Sequence, residues 1–167
     1  GELKKRGVGF NASTSLDRTN YYSSFPANDA TLDYVLGLEA DRMLNSFVAK
    51  KDLDSEMTVV RNELERNENN PGSVLNERLR STAYLWHNYG NTTIGARSDV
   101  ERVPIERLQA FYKTWYQPDN AVLIVAGRFD PATLLPTIKT KFGGLNKPAR
   151  ALPVPLAITS PLAMPMC

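Results

Sequence analysis

Ala121-Val122-Leu123-Ile124-Val125-Ala126 is an unbroken apolar run with no charge, glycine or proline inside it. Turn residues Gln117-Pro118-Asp119-Asn120 precede it and Gly127 follows it. A short run of this kind reads as a central β-strand buried on both faces, with neighbours at its edges and packed layers above and below. It therefore predicts a sheet with helices over it.

The remaining elements are read from period and punctuation. Gly7 to Thr14 alternates, with Val8, Phe10 and Ala12 on one face and Gly9, Asn11 and Ser13 on the other, as in a half-buried strand. Ser15-Leu16-Asp17-Arg18 supplies a turn, and the Thr- and Tyr-rich stretch Thr19 to Phe25 completes a β-hairpin. Helices follow. Asn28 or Asp29 caps one that runs through Phe47, with Leu32, Val35, Leu36, Leu38, Met43 and Leu44 at the 3.6-residue period. Asp52 or Asp54 opens a second, to about Asn69; Pro71 opens a third, to about Leu85; Pro104 opens a fourth, to Trp115. Asp130-Pro131 opens a last helix that stops at Gly143-Gly144. The order β-β-α-α-α-α-β-α indicates an α+β or an open-faced α/β layout.

Composition excludes several classes. With 167 residues the chain fits one domain of ordinary size. A net charge of +2 is too small to make nucleic acid or an anionic membrane the main partner. No apolar run approaches the roughly 18 residues of a membrane span. The single cysteine, Cys167, cannot form an internal disulfide. The first residues lack a signal-peptide layout, so a targeting segment, if any, is expected upstream of Gly1. A boundary is expected near residue 146. Residues 147–167 read as a proline-rich linker or a non-native tail, because their prolines follow neither a helical nor a strand period.

The sharpest chemical feature lies on the second helix. Glu56 and Glu63 are seven residues apart, which places both carboxylates within about 20° on one helix face. With Val59 and Val60 between them, partial desolvation is expected, and an ionised carboxylate there calls for a metal or an arginine. On spacing alone, a solvated acidic face is the plainer reading. His87 is the only histidine, too few for the His-rich ligand sets of catalytic zinc, and reads as a hydrogen-bonded loop residue. Asn11-Ala12-Ser13-Thr14 carries small polar side chains on a strand that could take up an extended peptide by backbone pairing.

Several blocks in order resemble the insulinase/pitrilysin family of zinc metallopeptidases, the class with the inverted H-x-x-E-H motif. They are Asn11-Ala12-Ser13-Thr14 with Asp17 to Tyr22, Ala40-Asp41-Arg42-Met43, Glu56 to Arg66, His87-Asn88-Tyr89-Gly90 with Ile94-Gly95, and Tyr116 to Ala121 running into Gly127-Arg128-Phe129-Asp130. They span roughly residues 7 to 144. Asn88 departs from the proline that often follows the loop histidine in this family.

The resemblance implies an α+β half-domain over residues 1–146, an antiparallel sheet with helices packed on one face. It implies zinc as cofactor, Glu63 as the distal metal ligand, Glu56 as a supporting acidic residue of the catalytic region, and Asn11, Ala12 and Ser13 as the substrate-binding edge. The H-x-x-E-H segment, with its histidines and general base, would lie before Gly1, so the isolated chain is expected to be inactive. Expected partners are a peptide substrate and a second homologous half-domain or subunit, and the expected location is periplasmic or secreted. The alternative is a non-catalytic peptidase-like subunit that binds peptide or scaffolds an active partner.

Overall fold

A computed structural model describes residues 1–152. In chain order the elements are α1 (Glu2–Lys5), β1 (Gly9–Thr14), β2 (Thr19–Ser24), α2 (Asp29–Asn45), α3 (Lys50–Glu68), α4 (Pro71–Ala83), α5 (Arg97–Arg102), α6 (Ile105–Trp115) and α7 (Pro131–Phe142). Short 3-10 turns cover Asn88–Gly90 and Pro118–Asn120. The class is α+β: mostly helical, with one two-stranded antiparallel sheet among the described residues. Most of the proline-rich tail expected over 147–167 lies outside the described residues.

The chain forms two compact units. Gly1–Asp52 with Pro104–Arg150 makes the first, and Leu53–Val103 builds the second. In the first unit β1 pairs with β2 in the register Asn11↔Tyr22, Ala12↔Tyr21, Ser13↔Asn20. Ser15 closes the hairpin by donating its N–H to the Arg18 carbonyl at 2.8 Å. The helix caps are local and follow from the sequence. Asn28 Oδ1 accepts from Thr31 N at 2.9 Å at the start of α2, and Asp130 Oδ1 accepts from Ala132 N at 2.9 Å at the start of α7. Val8, Thr31, Val35, Leu36, Ala40 and Leu134 are buried in this unit. Arg150 ties the end of the described chain to it, through a bidentate pair with Asp119 at 2.9 and 3.0 Å.

Val48, between α2 and α3, has φ 42°, a strained value for a β-branched residue. Its carbonyl accepts from Gln109 Nε2 at 3.1 Å, a bond from α6 that helps hold the break.

Two expectations about burial are corrected. Ala121–Ala126 forms no strand, and no backbone hydrogen bond joins it to another described segment. Val122 is 85 % and Ile124 81 % exposed, and Leu123 is 41 % exposed. Apolar character makes such a run a strand only where a partner edge meets it, and none among the described residues does. The hairpin is likewise not half-buried. Every residue of β1 is exposed, Phe10 included, because the two-stranded sheet has no third strand or complete helical cover.

In the second unit α4 begins at Pro71, and Asn70 Oδ1 accepts from Ser73 N at 3.0 Å. Leu64 and Val100 are its buried apolar side chains. The short helix α5 carries no signal that its sequence announced.

Candidate functional site

The acidic helix belongs to the second unit for most of its length. Leu53, Met57, Val60 and Leu64 recur at i, i+4, i+7 and i+11, and these are the positions of α3 withdrawn from solvent. Glu56, Val59 and Glu63 form a separate stripe, about 100° around the helix from the first. Glu56 and Glu63 are exposed, and Val59 between them is 59 % exposed. The expected desolvation of the two glutamates is therefore not observed. Val60 turns into the packed stripe, and Val59 faces solvent without covering them. Neither carboxylate has a hydrogen-bond or ion-pair partner among the described residues.

Catalytic zinc takes three protein ligands as a rule. Among the described residues no three His, Cys, Asp or Glu side chains gather closely enough to hold a metal. Alone, these residues do not make a zinc site. Glu63 offers one open carboxylate.

His87 is bound into its own loop. Its Nδ1 accepts from Tyr89 N at 3.1 Å, and its ring lies edge-on to Trp86 and Tyr89 at centroid distances of 5.4 and 4.5 Å. Arg80 Nε and Nη2 both donate to the Tyr89 carbonyl, at 3.1 and 3.0 Å. A Cβ on Gly90 would stand 2.7 Å from the Tyr84 carbonyl oxygen, so only glycine fits this turn. The arrangement is that of a structural histidine.

A feature the sequence did not reveal is Arg97. It donates to Glu68 and lies 3.6 Å from Glu65 and 3.7 Å from Glu101, tying the start of α5 to the last turn of α3. The three acids are 29 to 32 positions before it or four after it, and only the last spacing is a local signal.

The substrate-strand candidates lie in the first unit. Asn11, Ala12 and Ser13 are exposed on β1, and Ala12 N–H donates to the Asn11 side-chain oxygen at 2.8 Å. The cross-strand partner of Ala12, Tyr21, anchors the hairpin to the helices. Its hydroxyl is 2.9 Å from that of Tyr116, and the Arg42 guanidinium sits 4.7 Å from its ring centre. Tyr112 donates to the Arg42 carbonyl at 2.6 Å and accepts from Ser46 N at 3.0 Å. Burial and the Tyr116 hydrogen bond raise the Tyr21 pKa well above that of a free tyrosine. Burial also raises Glu39, partly offset by Arg42 at 3.3 Å.

The glutamate pair lies in the second unit, and the exposed, anchored hairpin lies in the first. The chain belongs to the family described as insulinase (peptidase family M16): residues 1–97 match that family, and residues 102–163 match the peptidase M16 inactive domain. It is 32% identical over 155 residues to the zinc protease PqqE of Helicobacter pylori, covering 92% of this chain and 34% of that protein. A crystal structure of a protease from Helicobacter pylori superposes with a TM-score of 0.85 at 32% identity, covering 93% of this chain and 38% of the other. The first half of the periplasmic protease PqqL from Escherichia coli superposes with a TM-score of 0.80 at 26% identity, covering 92% and 34%. The chain thus spans about a third of the length of the relatives it matches.

Proposed function

We propose that the chain is an internal part of a zinc-dependent endopeptidase acting on peptides or unfolded polypeptides. In this reading Glu63 supplies one metal ligand, and Glu56, on the same face, supports the catalytic region. The observation that carries it is the Glu56–Val59–Glu63 stripe. An apolar side chain left in water between two unpaired carboxylates is a face made to be covered, and a covering segment bearing two histidines would complete a three-ligand zinc set. The edge of β1 at Asn11, Ala12 and Ser13 is the docking strand for extended substrate, by backbone pairing. The half-domain covers residues 1–146, and a second homologous half is the expected partner. That PqqL has a first half which this chain resembles supports this, and its description as periplasmic supports a periplasmic or secreted location. No helix among the described residues is long and apolar enough to cross a membrane.

The test uses the polypeptide extended upstream by its own coding sequence. It is expected to bind about one zinc per chain and to cleave an unstructured peptide, whereas residues 1–167 alone are expected to do neither. Glu63→Gln in the extended protein should weaken zinc binding by more than the 10- to 100-fold typical of losing a group that only supports a ligand. Undiminished zinc affinity in that variant would sink the ligand assignment.

A further inference from the structure

Arg97 stands where the local rules of helices oppose it. It is the first residue of α5, beside that helix's positive end, and Ala96 before it supplies no side-chain cap. Its partner on the same helix, Glu101 at 3.7 Å, follows it in the chain, the weaker order for an i,i+4 pair. Its other partners, Glu65 at 3.6 Å and Glu68, lie in the last turn of α3, where carboxylates meet the negative end of a helix. Each group is misplaced within its own helix, and the contact between the helices offsets both defects. A lone surface ion pair contributes little, but here one guanidinium faces three carboxylates. It does so from a fixed base, because Val100 on the same helix is buried.

We propose that Arg97 is a positioning residue for Glu63, holding the last turn of α3 so that the Glu63 carboxylate keeps one direction. The inference rests on the reading of Glu63 as a metal ligand. Glu63 is five residues before the end of α3. Seen down the helix, Glu65 and Glu68 lie about 200° and 140° around from it. Arg97 therefore grips the flank beside the packed stripe that ends at Leu64, and leaves the Glu63 face open. The turn it grips closes on the Glu65 carbonyl, which accepts from Asn69 N at 3.1 Å and from Asn69 Nδ2 at 2.8 Å. Without the guanidinium, two carboxylates would meet the negative end of α3 uncompensated, and fraying would start within two residues of Glu63. Position and field predict opposite signs. Removing a positive charge near Glu63 would by its field alone tighten the binding of a divalent cation, whereas loss of position weakens it.

Zinc titration of the polypeptide extended upstream by its own coding sequence tests this, at a temperature where every variant is folded. Arg97→Ala should weaken zinc binding about tenfold, the lower end of what groups supporting a ligand contribute. Arg97→Lys, which keeps the charge, should recover part of that loss. On a Glu63→Gln background Arg97→Ala should cost nothing further, because the ligand it positions is gone. In residues 1–167 alone, hydrogen exchange at the amides of Glu65–Glu68 should be about two- to fivefold faster in Arg97→Ala. An arginine that is merely structural would lower Tm and leave zinc affinity unchanged. Unchanged or tighter zinc binding in Arg97→Ala would overturn the proposal, as would an additive loss in the double variant or unaltered exchange in the last turn. Glu63→Gln separates this inference from the ligand reading. If that variant loses zinc affinity and Arg97→Ala does not, the ligand stands and the positioning role falls. If the extended protein binds no zinc, or Glu63→Gln binds it undiminished, the ligand assignment falls and the positioning role with it.

Discussion

Leu64 and Glu63 are adjacent on α3 and should respond oppositely to mutation. Leu64 is 6 % exposed and closes the inward stripe, whereas Glu63 is exposed and unpaired. Leu64→Ala removes a buried isobutyl group, and the cost joins lost transfer free energy to the cavity left behind, about 3 kcal/mol within a usual range of 2–5. For a chain of this size each kcal/mol lowers Tm by roughly 2–4 °C, so the variant should melt about 6–12 °C below wild type. Glu63→Gln keeps shape and removes only a solvated charge, so its effect should stay within about 0.5 kcal/mol. Urea unfolding followed by far-ultraviolet circular dichroism measures both, and an unchanged slope with denaturant shows that only stability has moved. A loss above about 1 kcal/mol for Glu63→Gln in the isolated chain would refute the reasoning. It would mean that the carboxylate serves the helix, leaving no free group to assign to a metal.

Asn28→Ala should lose the side-chain cap of α2, at about 1 kcal/mol, and lower Tm by roughly 2–4 °C. Tyr21 provides a pH test. Its folded pKa is raised above the unfolded value of about 10, so its contribution to stability is complete below that pH and is lost as pH rises toward the folded pKa. Tyrosinate absorbance should therefore show a group titrating above the ordinary tyrosine range, and Tyr21→Phe should remove it at a cost of about 1 kcal/mol for the Tyr116 hydrogen bond. A tyrosine titration unaltered by that substitution would contradict the anchoring role.

What the sequence makes legible here is local. Asn28, Asn70 and Asp130 each cap a helix through a bond spanning two or three residues, so residue type and position suffice to place them. The Ser15–Arg18 turn and the hairpin register follow in the same way. The Arg97 contacts with Glu65 and Glu68 cross about thirty residues, and no periodic pattern encodes them. Burial was the other blind spot. The seven-residue interval put Glu56 and Glu63 on one face, but no interval states what lies against that face. The same limit applies to Ala121–Ala126, whose apolar character demands a cover that periodicity cannot locate.

Contrast the His87 loop with these two open surfaces. In the loop the His87 Nδ1 accepts from the Tyr89 N–H, the Arg80 guanidinium donates to the Tyr89 carbonyl, and Gly90 lets the turn close on itself. Val122 and Ile124 are the opposite case. Full burial of a Val or Ile side chain is worth roughly 1.5–3 kcal/mol, so leaving both in water forgoes about 3–6 kcal/mol. A whole domain is commonly stable by only about 5–15 kcal/mol. An omission of that size falls on a run with strong strand propensity and no protecting charge or proline, which exposure alone would favour in aggregation. A segment that covered the run would recover that free energy. The same argument applies on a smaller scale to Val59 between two glutamates. Acidic neighbours keep that face in water, and Val59 gives it one apolar contact that a covering segment would bury.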